Sequence, residues 1–315
     1  MSNDRPLVGI LLMIGFCAVA PLGDSIAKLL GETIPLFELL VVRFAAQVVF
    51  LLPVVWWSGK TLILPPHVMR LTVLRTMLHI AGIGAMFMSL RYLPLADAVA
   101  IAFVMPFIML AFGKFFLGEA VGPRRLAACT VGFMGTMLVV QPSFISVGAP
   151  ALLPLLVAVA FSGYMLVTRQ ISRAADPIAL QVVSGFYAVA GFAALALVNL
   201  GFDLPELRMV KPNLRETLLL IGSGFFGTFG HLLMTWSLRF APSATVAPIQ
   251  YLEIPFATVI GWLIFRDLPN GLAALGIAVT MGAGLYIVFR ERALARSPTM
   301  RTSHTRSMPQ GDSSA

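Results

Sequence analysis

Charge is scarce in this sequence. Asp, Glu, Lys and Arg make up 11% of its 315 residues, whereas a soluble domain carries about 25%. Hydrophobic residues make up 58%, which excludes an ordinary water-soluble domain and predicts a polytopic membrane protein. The net charge is +8. Because the basic residues fall in short loops and the tail, this excess is typical of membrane topology and not of a nucleic-acid-binding face.

Cysteine and catalytic motifs are equally scarce. The two cysteines, Cys17 and Cys129, lie in apolar segments without disulfide or metal-ligand spacing. The sequence also lacks a Gly-rich phosphate loop, a nucleophile elbow, paired acids on one helical face and zinc-binding spacing. It therefore predicts no catalytic centre, metal or cofactor, and it argues against an ATP-driven pump.

Ten apolar segments approach the length of about 20 residues that a bilayer core of about 30 Å requires. Their connections are mostly short, so sequential helices should be antiparallel neighbours. Residues 291–315 are rich in Arg, Ser, Thr and Pro, and we expect a disordered cytoplasmic tail. The apolar segments are 7–30, 35–57, 69–90, 95–116, 123–141, 150–169, 177–200, 214–238, 243–265 and 269–289.

Basic residues are distributed unevenly between alternate loops. If the N-terminus is inside, the cytoplasmic segments hold fourteen Lys and Arg residues and the opposite segments hold five. Because positive residues accumulate on the cytoplasmic side, we expect both termini to be cytoplasmic.

The sequence repeats itself at an interval of 148 residues. Ser89-Leu90-Arg91 falls on Ser237-Leu238-Arg239, Pro94 falls on Pro242, and Glu119 falls on Asp267. Small residues at four-residue spacing, which let membrane helices approach closely, also coincide: Ala128, Gly132 and Thr136 fall on Gly276, Thr280 and Gly284.

The chain therefore divides into two copies of five helices, 1–148 and 149–290. Since five is odd, the second copy must enter the membrane upside down. We predict an all-α integral membrane fold of ten transmembrane helices in two inverted five-helix repeats. Inverted repeats that meet at a site near the membrane midplane are typical of secondary transporters.

These motifs resemble the drug/metabolite transporter superfamily, and within it the proteins with two tandem EamA domains. The likeness is carried by S-L-R-Y-L-P-L-A-D-A at 89–98, by its echo S-L-R-F-A-P-S-A-T-V at 237–246, and by the helix ends F-F-L-G-E and L-I-F-R-D. It implies a ten-helix carrier of the inner membrane with its substrate cavity between the repeats. Q-Y-L-E-I-P at 250–255 is similar to a subgroup of bacterial metabolite importers that includes riboflavin and S-adenosylmethionine carriers, and L-M-I-G-F-C at 12–17 more closely resembles the riboflavin branch.

Glu253 is the only charged residue between Ala244 and Phe265, and it lies near the middle of that segment. A carboxylate at this depth costs about 2.5 kcal/mol or more, so it normally faces a cavity or a partner. Gln250 lies on the same helical face and Tyr251 on the neighbouring one. We predict that these three residues bind the substrate. The alternative is a protonated Glu253 that only holds two helices together.

Other polar residues lie within the spans. Arg43 needs a partner at its depth, which is either Glu253 or an anionic group of the substrate. Asp24 and Lys28 are four residues apart and should neutralise each other, whereas Glu38 should be solvated at the outer edge of its helix.

Two histidines and several aromatic residues complete the candidate site. His79 and His231 lie near mid-span and are candidate proton relays, and the alternative for each is a hydrogen bond to a neighbouring helix. Trp236, Tyr164 and Tyr187 are candidates for an aromatic wall, against lipid-facing or packing roles.

Taken together, these features predict secondary active transport of a small organic metabolite by alternating access, with riboflavin uptake as the best match. A membrane-embedded lipid-modifying enzyme would place acidic or His-rich motifs in its loops, and the loops here are short and plain. A receptor or scaffold would give no role to the repeat or to Glu253. The expected partners are a small solute and the lipid bilayer, without nucleic acid, and a homodimer stays open.

Overall fold

A computed structural model describes residues 5–105, 107–108, 112, 123–202, 204–241 and 246–296. The fold across these ranges is all-helical, as predicted, and short 3₁₀ helices lie at Ala149–Leu152, Pro205–Leu207 and Ala247–Leu252. The α-helices whose bounds fall within the described ranges are α1 (Pro6–Leu30), α2 (Leu36–Trp57), α3 (Pro66–Ser89), α4 (Leu95–Ala102), α5 (Pro123–Val147), α6 (Leu153–Ile171), α7 (Pro177–Phe202), α8 (Leu214–Phe240), α9 (Glu253–Phe265) and α10 (Gly271–Arg296).

The chain is a multi-pass membrane protein. Within the described ranges, seven helical segments are long and apolar enough to cross a bilayer, and 249–265 and 271–283 are shorter apolar helices. Trp56 and Trp57 are 87% and 94% exposed at the end of α2, as expected for aromatic side chains at a membrane interface.

Two sequence expectations change at the helix ends. The fourth predicted span, 95–116, is helical at Leu95–Ala102, and most of its remainder lies outside the described residues. The last helix continues to Arg296, so the start of the predicted disordered tail is helical, and 297–315 lie outside the described part of the chain.

Local sequence signals set where the helices begin. Asp176 precedes Pro177, and its Oδ1 accepts hydrogen bonds from the backbone N–H groups of Ile178 and Ala179 at 2.9 and 3.3 Å. Asn213 and Glu216 form a capping box at the start of α8. These contacts satisfy N–H groups that have no partner inside their own helix.

Helix packing follows a two-fold pattern. Helix α1 packs against α8, and α6, its counterpart in the second repeat, packs against α3, the counterpart of α8. The remaining counterparts contact each other directly: α2 with α7, α4 with α9 and α5 with α10. Exchanging the two repeats leaves this pattern unchanged, which is the packing of two equivalent five-helix units.

The repeated Ser-Leu-Arg motif has the same role in each repeat. Arg91 Nη2 donates to the carbonyl oxygen of Ile34 at 2.9 Å, and Arg239 Nη1 donates to that of Ala175 at 3.2 Å. Each arginine thus ties the end of a third helix to the loop between the first two helices of its own repeat.

Helices α5 and α10 meet along the repeated small residues. Thr280 Oγ1 donates to the carbonyl oxygen of Gly132 at 3.3 Å. A Cβ atom added to Gly276 would lie 2.5 Å from the carbonyl oxygen of Gly135. The two backbones are close enough that only glycine fits at this crossing.

Candidate functional site

A cavity lies between the two repeats. Helices α1 to α4 line it from the first repeat, and α6, α8, α9 and the 3₁₀ helix before α9 line it from the second. Aromatic rings form much of its wall: Phe16, Phe87, Phe103, Phe161 and Phe226. An apolar chamber with a few polar groups is the usual form of a small-molecule site.

Gln250 and Glu253 both line this cavity because the chain there is a 3₁₀ helix. Such a helix has three residues per turn, so residues three apart eclipse one another. Glu253 begins α9 immediately afterwards. The amide of Gln250 is only weakly engaged: its Nε2 lies 3.4 Å from Met165 Sδ, and its Oε1 has no hydrogen-bond partner in the described part of the chain.

Tyr251 lies outside the cavity wall. Its side chain is 1% exposed, and its ring centroid lies 5.3 Å from that of Phe103. Phe103 itself lines the cavity. Tyr251 therefore lies one layer behind the wall.

Arg43 lines the cavity from α2, and its side chain is buried at 6% exposure. Its guanidinium lies against Gly227 of α8, occupying the space that a Cβ atom would need. The salt bridges in the described part of the chain are Lys28–Asp267 and Lys60–Asp176, so the Arg43–Glu253 pair considered from the sequence is not formed. The guanidinium donors of Arg43 are available to a solute.

Asp24 is a cavity residue that the sequence interpretation assigned to a different role. Lys28 does not pair with Asp24; its Nζ lies 2.9 Å from Asp267 Oδ2, across the repeat boundary. Asp24 instead lines the cavity and interacts electrostatically with both Arg43 and Glu253. The cavity therefore holds two carboxyl groups and one guanidinium.

His79 and His231 lie side by side, with ring centroids 4.2 Å apart. His231 lines the cavity, and the ring of Tyr164 lies 4.7 Å from that of His79 and 5.8 Å from that of His231. In the part of the chain that the structure describes, both ring nitrogens of His79 and Nδ1 of His231 lack hydrogen-bond partners. The alternative of a helix-to-helix hydrogen bond is therefore not met at His79.

Arg75 is the largest fully buried side chain, and the sequence interpretation gave it no role. Its Nε donates to Thr168 Oγ1 at 2.9 Å, its Nη1 to Ser184 Oγ at 2.7 Å and its Nη2 to Tyr164 OH at 2.6 Å. Weaker bonds from Nη2 reach Gln181 and Thr235 at 3.2 and 3.3 Å. This Arg75 cluster ties α3 to three helices of the second repeat through neutral oxygen atoms alone.

Three further residues lie away from the cavity. Trp236 packs against the apolar cluster of Leu51 and Val182, and Tyr187 packs in a separate cluster beside Val183. Glu38 is buried at 3% exposure and accepts a hydrogen bond from the backbone N–H of Val210 at 2.8 Å. The expectation of a solvated Glu38 was wrong, because the loop before α8 covers it.

Comparison with known proteins agrees with this architecture. A model of the EamA-like transporter family matches residues 7–141 and 149–290. A riboflavin transporter of Rhizobium johnstonii is 30% identical over 71% of this chain and 72% of that protein. An S-adenosylmethionine uptake transporter of Rickettsia prowazekii is 22% identical over 91% and 94%. A crystal structure at 21% identity, covering 91% of this chain and 97% of that one, shares the fold with a TM-score of 0.63.

The family model covers both repeats and most of the chain. The protein is therefore a transporter and not an enzyme, and it belongs to the EamA-like transporter family of small-metabolite carriers.

Proposed function

We propose that this chain carries riboflavin into the cell across the bacterial inner membrane by alternating access. The cavity is the observation that supports this most, since aromatic rings line it while Arg43, Gln250 and Glu253 reach into it. A planar ring system needs apolar surfaces at its faces and hydrogen-bonding groups at its edge. The relative from Rhizobium johnstonii, a riboflavin transporter, supports the same solute.

Two ion pairs join the repeats at opposite ends of the helices. Lys28, near the end of α1, binds Asp267, and Lys60, after the end of α2, binds Asp176, each with Nζ to Oδ2 at 2.9 Å. Because α1 and α2 run in opposite directions, the pairs lie at opposite faces. All four side chains are partly exposed, so each pair contributes at most about 1 kcal/mol. In the proposed cycle each pair opens when its own face opens.

The Arg75 cluster closes the cavity on the Lys60 side. Arg75 and Gln181 lie near the starts of α3 and α7, while Thr168 and Thr235 lie near the ends of α6 and α8. The cavity residues of these helices, such as Phe161, lie farther toward the other face. Opening on the Lys60 side would therefore require the Arg75 bonds to break.

The site residues then have distinct roles in the proposal. Glu253 and Gln250 bind the solute from α9 and the 3₁₀ helix, and Arg43 binds it from α2. Tyr251 supports the wall through its ring contact with Phe103. The rings of His231 and His79 lie side by side at the cavity, and both contact Tyr164, which supports a proton relay there. Trp236 has no contact with the solute in this arrangement.

We further propose that both termini are cytoplasmic, since the cytoplasmic loops would then hold most of the Lys and Arg residues. A homodimer is compatible with this arrangement, although the cavity is completed within a single chain.

S-adenosylmethionine is the second candidate, because the carboxyl groups of Asp24 and Glu253 both line the cavity and either could pair with a sulfonium. A binding competition separates the two solutes. Purified protein should quench flavin fluorescence on binding riboflavin, and excess S-adenosylmethionine should not reverse the quenching. Displacement of a labelled ligand by S-adenosylmethionine but not by riboflavin would make riboflavin the wrong assignment.

A further inference from the structure

The polar groups of the cavity differ in whether they can donate or accept a hydrogen bond. Arg43 carries only donors, a carboxylate of Glu253 only accepts, and the Gln250 amide does both. Arg43 is buried and in neither of the salt bridges of the described ranges. Gln250 is 1% exposed with an Oε1 that lacks a partner among the described residues. A buried polar group without a partner is costly unless a ligand supplies one.

The position of the Arg43 side chain in the cavity wall depends on its neighbours. Glycine at 227 leaves the Arg43 guanidinium room against the backbone of α8, and the carboxyl group of Asp24 lines the same cavity without forming either of the salt bridges of the described ranges. Gln250, in the 3₁₀ helix, and Glu253, at the start of α9, lie on another wall. A donor and two acceptor-bearing groups thus approach a solute from different helices of the two repeats.

The flavin ring has one edge that matches this set. Its pyrimidinedione ring presents a carbonyl, an imide N–H and a second carbonyl in one rigid row, which is an acceptor, a donor and an acceptor. The ribityl chain presents flexible hydroxyl groups, which would lose rotational freedom on binding. A rigid edge is the better target for a guanidinium and a carboxylate at fixed positions.

Resting on the proposed function, we infer that the cavity selects flavins by this imide edge. Arg43 donates to a ring carbonyl, and the carboxyl group of Glu253 accepts from the imide N–H, with the unpartnered Oε1 of Gln250 as a second acceptor on the same wall. The phenylalanine walls enclose the ring faces. The ribityl chain contributes little to affinity, so the substrate class is the isoalloxazine ring and not the sugar alcohol.

A ligand series on the purified wild-type chain tests this. Lumiflavin keeps the ring and lacks the ribityl chain, whereas 3-methylriboflavin keeps the chain and replaces the imide N–H with a methyl group. Lumiflavin should bind within about tenfold of riboflavin, and 3-methylriboflavin should bind at least about tenfold more weakly, since it loses the imide hydrogen bond and leaves a buried acceptor without a partner. Equal binding of riboflavin and 3-methylriboflavin would overturn the inference.

A variant pair locates the effect. In Glu253→Met the discrimination against 3-methylriboflavin should fall to about threefold or less, because the acceptor is gone. Gly191→Ala, at a position with open space around it, should keep the full discrimination. Riboflavin binding without lumiflavin binding would overturn the imide inference while leaving the transport proposal standing. Failure of every flavin to bind would instead overturn the proposed function and this inference with it.

Discussion

The guanidinium of Arg43 lies directly against the backbone of Gly227, on a helix of the other repeat. Any side chain at position 227 would occupy the space that the guanidinium fills. The contact fixes a buried cation at the boundary between the repeats, where a solute can reach it. The geometry of the cavity thus depends on the absence of a single Cβ atom.

Gly227→Ala should therefore weaken riboflavin binding by at least about tenfold, because a displaced Arg43 loses a charge-assisted hydrogen bond worth about 1.5–3 kcal/mol. Fluorescence quenching with purified protein measures the change. The matched control is Gly222→Ala on the same helix, where the new Cβ would lie 3.4 Å from Ile26 Cδ1 in ordinary contact. Equal losses in both variants would point to a general effect of alanine on α8 and not to Arg43.

Arg75→Ala should lower the free energy of unfolding by about 3 kcal/mol, because several buried oxygen atoms lose a charged donor. Thermal unfolding in detergent, followed by size-exclusion chromatography, gives the comparison. Arg70 lies on the same helix with an exposed side chain, so Arg70→Ala should change stability by less than about 0.5 kcal/mol. An Arg75→Ala protein as stable as Arg70→Ala would show that the cluster does not hold the repeats together.

The crossing of α5 and α10 should not tolerate a larger side chain. Gly276→Leu would force the two backbones apart and should destabilise the fold by about 3 kcal/mol or more. Gly282→Leu on the same helix should be accepted, since no atom lies within 4 Å of a Cβ there. Monodisperse yield after purification distinguishes them, and comparable yields would contradict the close packing.

Topology can be tested with single cysteines at exposed loop positions, in a background without Cys17 and Cys129. Lys211→Cys, in the loop before α8, should react with a membrane-impermeant maleimide on intact cells. Ser58→Cys, after α2, should react only after permeabilisation. Ser143 and Ser172 are buried at 3% and 0% exposure and are unsuitable reporters. Labelling of both sites on intact cells would contradict the opposite placement of these loops.

Much of the fold follows from the sequence, because span length, loop charge and the repeat of Ser-Leu-Arg are local signals. The repeat also pairs Arg91 with Arg239, and each of them donates to a backbone carbonyl oxygen of a loop in its own half. The shared face of Gln250 and Glu253 was also accessible, since three-residue spacing puts two side chains together on either an α- or a 3₁₀-helix.

The remaining site residues depend on partners that are distant in sequence. Asp24 and Lys28 satisfy the spacing of a helical pair, yet Lys28 finds Asp267, 239 residues away. The acceptors of Arg75 come from three other helices. Tyr251 lies behind the cavity wall against Phe103 of the first repeat, a contact that its position next to Gln250 in the sequence does not reveal.

Glu253→Gln separates binding from ion coupling. The amide keeps the size of the side chain and a hydrogen-bond acceptor but cannot ionise. Uptake by the variant in cells should lose its dependence on external pH and fall below about a tenth of wild type, while membrane insertion is unchanged. Full uptake with the wild-type pH profile would leave Glu253 with the role of holding helices together.

The central claim is that this protein carries riboflavin across a membrane through the cavity. A counterflow experiment tests it most directly. Proteoliposomes with the wild-type chain are loaded with unlabelled riboflavin and diluted into a trace of labelled riboflavin, so that no ion gradient is needed. The account predicts transient accumulation of label inside, absent from protein-free liposomes and strongly reduced by Gly227→Ala but not by Gly222→Ala. No accumulation with wild-type protein that still binds riboflavin would contradict it.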